Sequence, residues 1–481
     1  MSEKPAGSTM NLGQVLSYSA GNFGLNLFFA SISTYLLYFY TDNFGLTAAA
    51  AGSVIFSAKL VNIVANPLIG LLVDRTKGRW GKFRPYFLFG SVPLALIGIL
   101  TFTVPDWSPA AKLVYAYLTY FLFNIFYSVV NVPYSSALAA MSGDYQARSR
   151  ISSVKVFVGQ FGGLIVTSAT LPLVHLFATE ARGFMLVHTL YGAVLVAMLL
   201  ITFWGTKGVG HSSEAEAKPA SKRANPLTLA DQLKTVIFNK YLLFLLVFIL
   251  VYQLALSTKN AAALYFFKYN LNNAGLFSLF SLIGFSILML GIVANPFLVK
   301  RFGKRNVGII SLLIMVVSLT GFYFVSDSVA MVFVFGGISY FGFGLMTPLP
   351  WSMVPDTIEY GQWRTGVRSE GTIYSSFIFV QLLATAIGAK LSGTLLSAFG
   401  YVPNAVQTPT ALHGILIMFT VVPIIGAIIG IGTLLFYKLD EKTFQRYVKE
   451  IKERETGGTD ASGTANAGQL RPAEHSSTLN H

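Results

Sequence analysis

The chain has 481 residues, 54% of them hydrophobic and 11% charged, with a mean hydropathy of +0.61. This composition excludes an ordinary soluble domain and points to a bilayer-embedded chain. The formal charge of +14 sits in short segments between apolar runs, a topology pattern rather than a nucleic-acid-binding one, and the absence of cysteine excludes disulfides, thiolate catalysis and Cys-based metal sites.

In chain order, residues 1–13 read as a polar cytoplasmic N-terminus without the pattern of a signal peptide. Apolar runs of about 20 residues or more, long enough to cross a membrane, follow at 14–40, 48–73, 84–104, 111–138, 153–177 and 183–205. Residues 206–239 include HSSEAEAKPASKRANP and read as a flexible cytoplasmic linker. Six further runs occupy 240–266, 274–299, 306–325, 329–354, 371–398 and 411–437. The expectation is therefore an all-α membrane protein of twelve transmembrane helices in two bundles, 14–205 and 240–437. Residues 438–481 form a cytoplasmic tail, with an amphipathic helix over 440–455 and a low-complexity, partly disordered end.

The basic residues orient the chain. Arg75, Lys77, Arg79, Lys82 and Arg84 follow the second run, and Lys300, Arg301, Lys304 and Arg305 follow the eighth. Arg148, Arg150 and the basic residues of the 206–239 linker lie on the same side, which the positive-inside rule makes cytoplasmic together with both termini. The pentapeptide IVANP occurs at Ile63–Pro67 and again at Ile292–Pro296, near the end of the second run of each half. Two six-helix halves related by a parallel repeat are the pattern of the major facilitator fold.

Polar residues inside the apolar runs mark the candidate site. Lys59, Asn62 and Asn66 lie at about 0°, 300° and 340° on a helix turning 100° per residue, one stripe on one face. Asn26, Asn124, Tyr127, Asn131, Lys155, Gln160, Gln253, Lys259, Asn260, Trp351, Tyr374 and Gln381 join it. Amides donate and accept, which suits a hydroxyl-rich ligand, and an indole offers a flat face for a sugar ring. An intramembrane Asn is equally often interhelical glue, and Lys155 and Lys259 can act as interfacial anchors. No Asp or Glu is clearly central in the runs, so three lysines repel a cation and welcome an anion. No HExxH, P-loop, Ser/His/Asp spacing or selectivity-filter repeat is present, so no enzyme chemistry is visible.

SYSAGNFGLNLFFASISTYLLYFYTDNFGL, KLVNIVANPLIGLLVDRTKGRWGKFRPY, VVNVPYSSALAAM, VPDTIEYGQWRTGVRSEGTIYS and GYVPNAVQ resemble the glycoside–pentoside–hexuronide:cation symporters, a branch of the major facilitator superfamily. The similarity runs from about Leu16 to Lys449 and is closest to the glucuronide-carrier branch, while Lys59 in place of the more usual arginine resembles carriers of sulfonated sugars. In melibiose-permease-like members the second helix carries two aspartates, four apart, that bind Na⁺ or H⁺; here those positions are Asn62 and Asn66. A sugar-contacting aspartate corresponds to Asn26 and an acidic sugar contact to Asn131, beside a stacking tryptophan replaced by Ser135. The fifth-helix arginine corresponds to Lys155, and the lysine usual after Gln381 is Leu382.

The scaffold is thus kept and its charges are lost. An amide carries no proton at neutral pH and gives Na⁺ only neutral oxygens. The resemblance implies a sugar or glycoside carrier in a bacterial inner membrane, with a hexuronide or other anionic sugar as a possible substrate and Asn26, Lys59, Asn62, Tyr127, Asn131, Lys155, Lys259, Trp351 and Gln381 at the substrate. It implies no cofactor beyond a coupling Na⁺ or H⁺, and a monomer whose partners are the sugar and the bilayer. On the cytoplasmic side Asp74, Arg75 and Arg79 are candidate gating residues, and Asp356, Glu359, Arg364, Arg368 and Glu370 a candidate ion-pair latch. Three readings stand: cation symport, which is the family default; uncoupled facilitation, because the acids are amides; and a non-transporting sugar sensor, against which the intact cytoplasmic motifs argue.

Overall fold

A computed structural model describes residues 11–76, 79–141, 145–207, 236–366, 370–439 and 441–460. Its described residues hold helices and turns and no strand. The N-terminal half contains α1 (Leu12–Tyr38), α2 (Ala48–Arg75), α3 (Arg84–Thr101), α4 (Pro109–Met141), α5 (Tyr145–Val174) and α6 (Glu180–Gly205). The C-terminal half contains α7 (Lys240–Tyr265), α8 (Gly275–Phe302), α9 (Lys304–Phe324), α10 (Val329–Met346), α11 (Leu349–Thr365), α12 (Glu370–Ala398), α13 (Pro409–Phe419) and α14 (Val421–Phe436), followed by α15 (Glu441–Asp460). Among the described residues twelve spans are long and apolar enough to cross a membrane, with α10 joined to α11 and α13 joined to α14 as single spans.

Side-chain caps start several helices by accepting an otherwise orphaned backbone N–H. Thr47 caps α2 through Ala50, Thr179 caps α6 through Arg182, and Thr408 caps α13 through Ala411. Asn239 caps α7 through Leu242 at 3.0 Å and donates its amide to the Thr357 carbonyl at 2.7 Å, tying α7 to α11.

Two spans differ from the sequence expectation. The run placed at 329–354 breaks after Met346 and continues as helix to Thr365, where Gly366 ends it in the left-handed region at φ 71°. Pro348 and Pro350 lack the N–H groups that Gly344 and Met346 would otherwise receive. The polar end of α11 is held by α15: Trp363 donates to Glu450 at 2.5 Å, and its ring lies 4.4 Å from that of Tyr447. The last run divides at Thr420 (φ −118°), where Pro423 leaves the Phe419 carbonyl without its usual donor. The 208–235 part of the linker, with Lys218, Lys222, Arg223 and Lys234, lies outside the described residues.

The two halves share one continuous apolar core at one end. Phe28, Phe39 and Phe184 of the N-terminal half belong to the same buried cluster as Tyr265, Phe267, Phe280, Phe419 and Tyr401 of the C-terminal half. The inward end of the C-terminal half has a separate core around Leu245, Phe248, Met353, Tyr360 and Tyr437. The members from the C-terminal half lie at the helix ends away from the basic loops, so the halves join at that end, the outer side in the orientation expected from charge.

Candidate functional site

A cavity of about 370 Å³ lies between the halves, within the size range of small-molecule sites. Asn26 and Phe29 of α1 and Gln160 of α5 face it from one half; Tyr252, Lys259 and Asn260 of α7, Phe285 of α8, and Tyr340 and Phe343 of α10 face it from the other. Lys259 is only 2% exposed. Its ammonium lies 4.7 Å from the Tyr340 ring centre and 4.8 Å from those of Phe343 and Phe419. A lysine at a helix centre costs about 2.5–3.5 kcal/mol to insert, and a desolvated cation–π contact returns about 2 kcal/mol. The rings offset much of the cost but, among the described residues, leave the charge and its N–H donors without an oxygen.

A second cavity, of about 580 Å³, opens between the inward halves of α2 and α12. Asn62, Asn66 and Pro67 line it on one side, and Ser375, Ser376 and Phe379 on the other. At their outer ends the same two helices touch. A Cβ on Gly393 would meet the Ala48 carbonyl and lie 2.9 Å from Gly52 Cα. α2 and α12 therefore form a V, closed outside by glycines and parted inside by a largely apolar vestibule.

The outer closure is built around Asp42, a residue outside the predicted site whose carboxylate pairs with Lys268. α1 ends in a wide i→i+5 turn over Phe39–Asn43, and α7 ends in the same way over Phe266–Asn270. Phe44 N–H donates to Phe39 O at 2.8 Å, and Leu271 N–H to Phe266 O at 3.2 Å. Such π turns recur at functional positions. The side chain of Asp42 is fully buried. It accepts from Lys268 Nζ at 2.8 Å, Thr41 Oγ1 at 2.7 Å, Tyr401 OH at 2.5 Å and Tyr269 OH. Asn404 donates to the Asp42 carbonyl at 2.5 Å, and Lys268 also reaches Tyr38 OH at 2.8 Å. Tyr38 in turn donates to Glu180 at 2.8 Å. Burial, then the neighbouring Tyr265 and Asp42, push the Tyr401 phenol far above its ordinary range, so it remains a donor at every physiological pH.

A sequence signal for this hub was available. LYFYTDN at Leu37–Asn43 and LYFFKYN at Leu264–Asn270 occupy the same place in each half. The repeat puts Thr41 opposite Lys268 and Asp42 opposite Tyr269, so the closure pairs nearly equivalent positions of the two halves.

The other predicted residues distribute as follows. Asn26 and Lys259 line the central cavity. The Asn26 amide donates to the Asn22 carbonyl at 2.9 Å. Asn62 and Asn66 line the vestibule, and Asn62 is also interhelical glue: its amide donates to Asn124 at 2.8 Å, and its oxygen accepts from Ser128 at 3.0 Å. Lys59 is half-buried one turn outward on the same stripe. Tyr127 stacks 5.8 Å from Phe29, which lines the central cavity. Asn131 and Gln381 are half-buried on α4 and α12.

Lys155 lies with its ammonium 4.9 Å over the ring of Tyr134. That ring stacks on Tyr18 at 4.6 Å, and each phenol donates to the other residue's carbonyl, at 2.8 and 2.6 Å. Trp351 is 46% exposed and meets Phe377 edge-on at 5.0 Å.

On the inward side Arg79 covers the Trp80 ring at 4.4 Å, while Arg75 is exposed. The side chain of Asp74 and the whole of Arg368 lie outside the described residues. Asp356 is bound by Lys304 at 2.6 and 2.8 Å, a bridge from α11 to α9 within the C-terminal half. Glu359 and Glu370 each engage a partner of their own.

The model of the MFS/sugar transport protein family matches residues 17–441. The chain belongs to that family. Its members and this chain's relatives are transporters, and the resemblance to glycoside–pentoside–hexuronide:cation symporters holds across the chain. An uncharacterized symporter of Bacillus subtilis, YnaJ, is 35% identical over 92% of this chain and 94% of its own length. The isoprimeverose transporter of Lactiplantibacillus pentosus is 34% identical over 88% of each chain. A putative sulfoquinovose importer of Escherichia coli is 30% identical over 92% of this chain and 94% of its own. Among solved structures, the nucleoside transporter NupG has a TM-score of 0.60 at 15% identity, covering 87% of this chain and 98% of its own. The xylose transporter XylE of E. coli has a TM-score of 0.60 at 13% identity, covering 86% and 94%. These likenesses establish the major facilitator fold, and this family member is a multi-pass sugar transporter.

Proposed function

We propose that this protein is a secondary active carrier of a sugar or glycoside in a bacterial inner membrane, working by alternating access with cation symport. The observation that carries it is the V formed by α2 and α12: glycine contact and the Asp42 hub seal the outer end, while the vestibule parts the inner end around a central cavity lined by amides and aromatics. Rocking the halves about that cavity exchanges which end is closed. Relatives named symporter, isoprimeverose transporter and sulfoquinovose importer support both the substrate class and the coupling.

One observation favours uncoupled facilitation as the second reading. Asn62 occupies a family cation position, yet both ends of its amide are engaged by Asn124 and Ser128. A coupled cation would need other ligands or the remaining oxygen lone pair.

The test is uptake by the reconstituted full chain across a panel of sugars and glycosides, with and without Na⁺ and with an imposed proton gradient, alongside recorded charge movement. Accumulation driven by either gradient supports symport. Equilibration unaffected by both selects the facilitator, and failure to move any member overturns the carrier reading.

A further inference from the structure

We infer that Lys259 is the counter-charge for an acidic substituent on the substrate, so that the carrier takes a sugar or glycoside bearing one carboxylate or sulfonate in preference to its neutral analogue. The inference rests on the carrier reading above and names the substrate class of that same cavity.

Three observations converge. Lys259 lines the central cavity and is buried, and among the described residues its ammonium has neither a carboxylate nor a hydrogen-bond acceptor, only the faces of Tyr340, Phe343 and Phe419. Ring faces attract a cation and exclude water, but they do not neutralise it or satisfy its three N–H donors. Second, the buried carboxylates nearest in kind are committed elsewhere: Asp42 to Lys268 at the outer closure and Asp356 to Lys304 in the C-terminal half. Third, the other polar groups facing the cavity include Asn26, Gln160, Asn260 and Ser281, all neutral and able to bind hydroxyls. The site thus offers one unopposed positive charge at the α7 wall and neutral donors and acceptors across from it. A sugar ring with a single compact oxyanion supplies what is missing.

Lys155 is a weaker candidate. Its ammonium covers the Tyr18–Tyr134 stack that ties α1 to α4, which gives it a packing role in the N-terminal half.

The test uses the full chain in liposomes and matched pairs: glucuronate against glucose, galacturonate against galactose, phenyl β-glucuronide against phenyl β-glucoside, and sulfoquinovose against quinovose. Each pair is run with the unmodified protein, Lys259→Gln and Lys259→Arg. At least one acidic member is expected to enter tenfold or more faster than its neutral partner. Lys259→Gln should lower that ratio at least tenfold, read within each preparation whatever the absolute rates, and Lys259→Arg should keep it within threefold. The pair that responds distinguishes a carboxylate from a sulfonate. Neutral members entering as fast as acidic ones in the unmodified protein overturn the inference, whatever the folding of the variants. So does an acidic preference that survives Lys259→Gln. Transport of neutral sugars alone leaves the carrier reading standing and removes this one; transport of nothing removes both.

Discussion

Asp42 and Lys268 meet at 2.8 Å across the outer junction of the two halves, 226 residues apart in sequence. Each stands in the π turn that ends the first helix of its half. The aspartate also receives three hydroxyl groups, from Thr41, Tyr269 and Tyr401. The chain has no cysteine, so a single introduced cysteine reports accessibility without background.

Breaking this pair should open the outer side. Removing one partner of a buried ion pair costs about 3–5 kcal/mol, and here most of that cost falls on the conformation in which the pair exists. Asp42→Asn and Lys268→Met, each combined with Asn260→Cys in the central cavity, are expected to raise labelling by an outside, membrane-impermeant thiol reagent at least tenfold. Substrate accumulation should fall in parallel. Labelling equal to that of Asn260→Cys alone would show that the hub does not hold the outer side shut.

The glycine contact of α2 and α12 allows a second, steric test. A methyl on Gly393 would run into Ala48 O and Gly52 Cα. Overpacking of this kind costs about 1–3 kcal/mol. Gly393→Ala is expected to slow uptake by about 5- to 150-fold, since 1.4 kcal/mol corresponds to tenfold in an equilibrium. Its thermal unfolding midpoint should change little, because the strain disappears when the outer ends part. A midpoint lowered as much as uptake would make the contact a folding requirement instead.

Asn62→Asp restores a carboxylate at a position where the resembling family binds its cation. The new group keeps an acceptor for Ser128 at 3.0 Å but loses the donor to Asn124. Uptake by this variant is expected to become steeper in Na⁺ or in proton concentration than uptake by the unmodified protein. An unchanged cation dependence, measured with charge movement in the same liposomes, would place any coupling site away from this stripe.

Lys304 and Asp356 bind within one half, with side chains 34% and 12% exposed. Their loss should therefore act on stability first. A charged hydrogen-bonded pair of this kind contributes about 1.5–3 kcal/mol. Asp356→Asn should lower the unfolding midpoint of the purified protein while leaving outside cysteine labelling unchanged, and the exchange Lys304→Asp with Asp356→Lys should recover part of the loss. A change in outside labelling with no change in midpoint would instead make these residues part of a gate.

Hydropathy acts residue by residue, which is why the spans could be read from the chain. IVANP showed the repeat, yet its two copies serve differently once folded. Asn66 lines the vestibule, whereas Asn295 donates to the Leu345 carbonyl at 2.6 Å and packs α8 on α10. LYFYTDN and LYFFKYN carried the outer hub in plain sight, but nothing local shows that Asp42 turns inward.

The sequence by itself determined twelve apolar helices and a stripe of amides and a lysine on one face of the second. Each follows from the solvation of individual side chains in a bilayer. Tertiary structure alone decided which polar groups are joined: Asp42 with Tyr401, 359 residues apart; Asn62 with Asn124; and Lys259 with three rings and, among the described residues, no acid. The electrostatic worth of a buried group depends on what packs against it, and those neighbours come from distant parts of the chain.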